Sequence, residues 1–184
     1  MRHTLLTVEQ AAQRMRDGEV VAYPTEAVFG LGCDPRNEAA VRRILALKHR
    51  APEQGLILIA AEFGQFEGWL ADADPAPALA TWPGPVTWLF PKAASVPRFI
   101  AGAHQTLAIR VTAHPVSSAL SMAFGGPLVS TSANPHSAPP ARSAGEVEEY
   151  FGSFIAGIVA GALGDREACS EIRDLITGKV LRGG

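Results

Sequence analysis

With 184 residues, 47% of them hydrophobic, the chain is long enough to bury one sizeable core and reads as a single domain over residues 1–184. Sixteen basic against eighteen acidic residues leave a formal charge of -2, which excludes a general nucleic-acid-coating surface but leaves room for a local basic cleft. Cys33 and Cys169 are too few for a disulfide framework, and neither they nor the scattered His3, His49, His104, His114 and His136 have metal-ligand spacing, so free, buried thiols and no structural metal are expected.

The N-terminus carries no signal-type apolar region, and no run of about eighteen apolar residues follows, so a cytoplasmic protein without a membrane segment is expected. Thr7-Val8-Glu9-Gln10 fits a capping box, and Ala11, Ala12 and Met15 extend an apolar helical face that Asp17-Gly18 stops. Residues 20–23 read as a buried strand. Tyr23-Pro24-Thr25-Glu26 leaves it, and Val28-Phe29-Gly30-Leu31-Gly32 reads as a strand-exit turn whose glycines let backbone approach a ligand. Asn37 caps a second helix with Val41, Ile44, Leu45 and Leu47 inward, ending at Lys48-His49-Arg50 before a turn at Pro52 and Gly55.

Leu56-Ile57-Leu58-Ile59 is a short continuous apolar run, the signature of a strand covered on both faces. Further strands are predicted at residues 87–90, 106–111, 127–130 and 155–159, with a last hairpin of 171–175 and 179–181 turned by Thr177-Gly178. Helices are predicted at 62–70, 115–124 and 144–151. Trp82-Pro83-Gly84-Pro85 reads as a rigid scaffold ahead of its strand, and the terminal Leu-Arg-Gly-Gly as a frayed end. Helices and strands mixed without strict alternation imply an α/β (α+β) fold, a twisted mixed β-sheet flanked by helices.

Two segments carry the chemistry. Lys48 and Arg50 flank a histidine at a helix end, and Ser130-Thr131-Ser132-Ala133-Asn134 leaves a buried strand. Cations match the charge of a polyphosphate, while Ser, Thr and Asn give directional hydrogen bonds to phosphate oxygens, ribose or a carboxylate. With no Walker loop and only Gly30-Leu31-Gly32 in place of a full dinucleotide fingerprint, the pair suggests a nucleotide site without a P-loop. Each alone has an ordinary reading, a solvated last helical turn and a strand exit. Thr25 and Glu26 suggest a small polar substrate. Arg110, the charge at the end of an apolar strand, either binds an anion in a cleft or pairs with a nearby carboxylate. Ser170 is locally a turn residue. Residues 135–143, with three prolines, form either a lid over the phosphate site or an inert loop.

In order, Tyr-Pro-Thr-Glu-x-Val-Phe-Gly-Leu-Gly, Lys-x-Arg, Pro-Gly-Pro-x-Thr, Ile-Arg-Val, Ser-Thr-Ser-Ala-Asn and Ser-x-Ile-Arg-Asp resemble the YrdC/TsaC family, the threonylcarbamoyl-AMP synthases of tRNA modification, in its short form. The resemblance runs from about residue 7 to 182. It implies a YrdC-like domain with a concave nucleotide-binding cleft that forms threonylcarbamoyl-AMP and pyrophosphate from L-threonine, bicarbonate or carbon dioxide, and ATP. The product would pass to a transferase complex that modifies adenosine 37 of tRNAs reading codons that begin with A. By resemblance, Lys48, Arg50, Ser132 and Asn134 surround the nucleotide phosphates, Ser130 lines the nucleotide pocket, and Thr25, Arg110 and Ser170 bind threonine and its carbamate. Magnesium would arrive on ATP, without a dedicated carboxylate cage. Gln54 and Ile59 stand where longer family members carry an Asn and a threonine-contacting His. An RNA-binding module using the same basic cleft, with weak tRNA binding as its residue in an enzyme, is the alternative from another class. A carbamoyl-transfer enzyme is the remaining one, and the zinc-finger and acylphosphatase-like modules of that group are missing from this sequence.

Overall fold

The capping box at Thr7 forms: Thr7 Oγ1 accepts from Gln10 N at 3.3 Å, and Gln10 Oε1 accepts from Thr7 N at 2.9 Å. It starts helix α1 (Val8–Arg16), which turns Ala11, Ala12 and Met15 inward. The computed structural model describes residues 5–168 and 170–183, so His3 and Cys169 lie outside the described residues. Cys33 is a buried free thiol. Asn37 Oδ1 accepts from Ala40 N at 3.1 Å and opens α2 (Glu38–Leu47). That helix ends in a reversal: His49 takes a φ of +48°, and Arg50 N donates back to Leu45 O at 2.9 Å. A left-handed residue between them lets Lys48 and Arg50 leave the helix in different directions.

Helices α5 (Pro115–Phe124) and α6 (Ala144–Phe151) match the predicted bounds, as does strand β6 (Thr106–Val111). Two expectations fail for local reasons. The segment expected as a strand-exit turn is a strand, β3 (Phe29–Gly32), paired with β2 (Val21–Pro24) and β7 (Leu128–Ser132). Its glycine at 32 answers to packing: a Cβ there would come within 2.5 Å of Val129 O and 2.6 Å of the Tyr23 ring. The predicted helix at 62–70 is one 3₁₀ turn, Phe63–Phe66, followed by Gly68 at φ +80°, which a continuing helix cannot use. Three short elements escaped the sequence patterns, namely β1 (Leu5–Leu6), α3 (Ala76–Leu79) and α4 (Arg98–Ala101).

With β4 (Ile57–Ala60), β5 (Val86–Pro91), β8 (Gly157–Val159), β9 (Glu171–Asp174) and β10 (Val180–Arg182), the strands form one mixed ten-stranded sheet, ordered β1-β8-β2-β3-β7-β4-β6-β5-β9-β10. The predicted last hairpin is the antiparallel β9–β10 pair, and Arg182 belongs to it instead of a frayed end.

Strand side chains alternate between faces, and the two faces meet different partners. On one, Ala22, Leu31, Val129, Leu58, Ile109, Trp88 and Phe90 join Val41, Ile44, Ile100, Val147 and Phe151 from α2, α4 and α6 in the larger core. On the other, α1 and α5 cover Val21, Tyr23, Ile59, Leu128 and Val159. Those two helices leave the rest of their face uncovered, toward β3, β7, β6, β5 and β9. Trp82-Pro83-Gly84-Pro85 is the expected scaffold: Trp82 Nε1 donates to Val86 O at 2.6 Å, Gly84 N donates to Val111 O at 3.0 Å, and the Trp82 ring stacks on Phe90 of the larger core with centroids 5.9 Å apart.

Candidate active site

The uncovered half of the sheet is the floor of a cavity of about 380 Å³, a size suited to a small-molecule ligand. Its floor alternates with the core. Gly30, Ser132, Ser130, Ile57, Thr106, Ala108, Arg110, Leu89 and Ile172 face it, while their strand neighbours Leu31, Val129, Leu58, Leu107 and Ile109 face the larger core. Small and hydroxyl-bearing residues on one side of strands that are aliphatic on the other make the hollow. Arg50, Gln54, His104, Arg166, Ala168, Ser170 and Arg182 build its walls.

Six of the eight residues singled out from the sequence border this cavity: Thr25, Arg50, Arg110, Ser130, Ser132 and Ser170. Lys48 and Asn134 do not. Lys48 is buried, and its ammonium donates to the carbonyl oxygens of Ser132 and Asn134, the latter at 2.8 Å, and to Asn134 Oδ1 at 3.2 Å. Burial, and then the nearby Arg50 charge, lower its pKa to about 8. Asn134 also accepts from Ser132 Oγ at 2.6 Å and donates from Nδ2 to Pro135 O at 3.2 Å and Ala138 O at 2.8 Å. The structure thus joins Lys48, Ser132 and Asn134 in one network behind the cavity wall.

Arg50 has one guanidinium nitrogen on Gly55 O at 2.9 Å, while its buried Nε has no partner. Burial, and then the charge of Arg182, lower its pKa. Arg182 is held in turn by Ser170 O, which accepts from it at 2.7 and 3.2 Å. Two arginines whose charges repel, with a buried donor unsatisfied, make a place where an anion is favourable. Arg182 was missed because β10 has only three exposed residues and no local pattern marks its tertiary pairing.

Arg110 realises the ion-pair reading: its guanidinium lies 2.6 Å from Glu26 Oε2, with both side chains nearly buried. Glu26 Oε1 accepts from Thr112 Oγ1 at 2.7 Å and from Ala113 N at 3.2 Å. Burial raises the Glu26 pKa, but Arg110 and these hydrogen bonds outweigh it and hold the carboxyl below its ordinary value. Arg110 Nε is buried without a partner, and Glu26 Oε2 has no hydrogen bond beyond the ion pair, so the pair keeps one donor and one acceptor to offer. Thr25 donates its hydroxyl to Val28 O at 2.7 Å, and Ser170 Oγ shares a 2.9 Å hydrogen bond with the fully buried Thr87.

Residues 135–143 do not border the cavity. They are fastened by Asn134 and by Ala141, whose carbonyl accepts from Phe29 N at 2.8 Å and whose N donates to Ala133 O at 3.0 Å. The cavity edge is instead formed by Arg166, Ala168 and Ser170, near where Gly164 N donates to Thr25 O at 3.0 Å and Arg166 N to Glu26 O at 3.1 Å. A Cβ at Gly164 would lie 2.8 Å from Glu26 O, so the crossing is close. Among the described residues, no cluster of three His, Cys, Asp or Glu side chains is placed to hold a metal ion.

The Sua5/yciO/yrdC family model, described as "Telomere recombination", matches residues 13–184. The chain belongs to the Sua5/YciO/YrdC family. The threonylcarbamoyl-AMP synthase of Halorhodospira halophila (strain DSM 244 / SL1) is 56% identical over 181 residues, covering 95% of this chain and 93% of that protein. The crystal structure of P. abyssi Sua5 complexed with L-threonine matches with a TM-score of 0.89 at 34% identity, over 95% of this chain and 53% of that one, so this chain spans about half its length. The crystal structure of E. coli YciO matches with a TM-score of 0.83 at 25% identity, over 96% of this chain and 88% of that one. Of the two positions that the resemblance sets apart, Gln54 lines the cavity, whereas Ile59 is fully buried in the core beneath α1 and α5.

Proposed function

We propose that this chain is an L-threonylcarbamoyladenylate synthase, a nucleotidyltransferase that makes threonylcarbamoyl-AMP and pyrophosphate from L-threonine, bicarbonate or carbon dioxide, and ATP. The observation that carries the reading is a cavity with unpaired arginine donors at two places, Arg50 Nε and Arg110 Nε, over a floor of serine and threonine hydroxyls. Two separated anionic groups, a polyphosphate and a carboxylate or carbamate, fit such a site. Relatives of nearly the same length that carry this enzyme's name support it.

The chemistry needs no nucleophilic side chain. The threonine amine attacks carbon dioxide and loses a proton to give a carbamate, whose oxygen attacks the α-phosphorus of ATP as the bond to pyrophosphate breaks. The protein's part is orientation and charge neutralisation. Arg50, with Arg182 beside it, faces the leaving pyrophosphate. Ser130 and Ser132 line the nucleotide, while Arg110, Thr25 and Ser170 hold the threonine carboxylate and carbamate. Glu26 is the one carboxylate among the described lining residues and is already engaged by Arg110 and Thr112. Magnesium would therefore come held by ATP's own phosphate oxygens, where it neutralises charge on the leaving group.

The product would pass to a tRNA threonylcarbamoyltransferase complex for t6A37 in tRNAs reading ANN codons, a role set in the cytoplasm, with residues 1–184 working as one domain. No helix among the described residues is long and apolar enough to cross a membrane. The test is pyrophosphate release with ATP, magnesium, L-threonine and bicarbonate, omitting each in turn, with the adenylate identified by mass. Release that needs both threonine and bicarbonate supports the synthase. No release, with tight and salt-sensitive RNA binding, would favour the RNA-binding module, in which Arg50, Arg166 and Arg182 meet backbone phosphates.

A further inference from the structure

Three oxygens converge where β7 ends. After Ser132 the backbone turns, with Asn134 N donating to Ser132 O at 3.0 Å and Ala133 N to Phe29 O at 2.8 Å. The Ser132 and Asn134 carbonyls and Asn134 Oδ1 then meet at a single point, which Lys48 Nζ fills. Three acceptors gathered in a half-buried place, with no cation between them, would repel one another and be poorly satisfied.

A lysine ammonium has three donors and no more, and here each has an acceptor within the protein. None is left over for a phosphate. Arg50, two residues on, is the converse case: it borders the cavity and keeps an unpartnered Nε. The left-handed His49 separates the two, turning one cation behind the wall and the other into the cavity.

We propose that Lys48 is a positioning residue that clamps the end of β7 and the Asn134 turn, and that the nucleotide phosphates are met by Arg50 and not by Lys48. This rests on the synthase reading for the identity of the ligand, but the clamp itself is a property of the ligand-free protein. Through it Lys48 fixes Ser132, which borders the cavity and whose hydroxyl is aimed by its 2.6 Å bond to Asn134.

Lys48, Lys92 and Lys179 are the chain's only lysines, so a protein labelled with nitrogen-15 at lysine Nζ gives few signals, and Lys48→Arg assigns one by its loss. In the ligand-free protein Lys48 should give an exchange-protected ammonium signal that titrates near pH 8, and saturating pyrophosphate should leave it protected with no scalar coupling to phosphorus, although an anion on Arg50 offsets the repulsion and raises its midpoint. Coupling between Lys48 Nζ and a pyrophosphate phosphorus, the mark of a direct hydrogen bond, overturns the proposal. In a double-mutant cycle, Lys48→Met and Asn134→Ala should each lower kcat roughly tenfold with little change in the KM for ATP, and the double variant should be no worse than about either alone. Losses that multiply, or a Lys48→Met effect confined to the KM for ATP, would place Lys48 on the nucleotide instead. Should Lys48→Met not fold, the coupling measurement on the wild-type protein decides alone. A chain that makes no adenylate loses the synthase reading, whereas an unprotected Lys48 signal in the ligand-free protein removes the clamp.

Discussion

The two arginine clusters of the cavity are held in opposite ways. At one end Arg110 and Glu26 Oε2 lie 2.6 Å apart, and Thr112 and the Ala113 backbone donate to the carboxylate's other oxygen. At the other, Arg50 and Arg182 repel, and neither takes part in the ion pairs found among the described residues. A paired charge is set before any ligand arrives and carries part of the fold's stability. An unpaired one is a cost to the ligand-free fold, relieved only by an anion. The first end should therefore answer to mutation in stability, and the second in binding.

The largest effect tests the paired end. Arg110→Ala strands a buried Glu26 and should cost roughly 3–5 kcal/mol, on the order of 10 °C in Tm by thermal unfolding. A variant that unfolds like the wild type would mean that water reaches Glu26 and that the pair is not buried in any energetic sense. Next is Arg50→Ala, which should weaken pyrophosphate binding and slow adenylate formation by roughly tenfold or more while Tm stays level or rises, since a like-charge contact with Arg182 is relieved. Loss of Tm with unchanged binding would reverse the comparison.

Acid sharpens the same contrast. Because the Glu26 pKa is lowered on folding, its contribution is present above the ordinary carboxyl value of 4.5 and fades as pH falls through the lower folded value. Glu26→Gln should accordingly flatten the acid limb of a stability profile, and an unaltered limb would assign acid unfolding to other carboxylates. Smallest is Thr87→Val, which takes from Ser170 Oγ its 2.9 Å partner and leaves it the longer 3.4 Å bond from Arg182. A loss of about 1 kcal/mol and a modest rise in the KM for threonine are expected, and a large effect would mean that Thr87 and Ser170 position more than each other.

Much of this was legible in the residues where periodicity and caps agree. Thr7 and Asn37 announce their helices, and β6 shows its bounds through Leu107, Ile109 and Val111 alternating with Thr106, Ala108 and Arg110. That alternation also held the unread signal of the cavity, a strand aliphatic on one side and small or polar on the other. β3 was not legible, because glycine weakens any strand pattern and the need for Gly32 arises only when Tyr23 and Val129 come together from distant segments. Arg182 was hidden for a similar reason: its place depends on β9, which is itself placed by pairing with β5. Lys48 and Arg50 looked equivalent in sequence, and only the positive φ of His49 tells them apart.

The alternation along β7 has one more consequence, for the kinds of change a gene for this protein can tolerate. Leu128, Ser130 and Ser132 share one side of the strand, with Val129 on the other, and Ser130 sits opposite Ile57 while Ser132 sits opposite Gly30. Exchanging a floor residue alters the hollow by one side chain. Deleting or inserting a single codon ahead of Val129 would instead rotate every later residue of the strand to the opposite side, turning valine into the hollow and the Ser130 and Ser132 hydroxyls into the aliphatic core. Variation in this protein's pocket should therefore accumulate as replacements within strands, while changes of length should collect in segments that owe nothing to the pleat, such as 71–75 and 135–140.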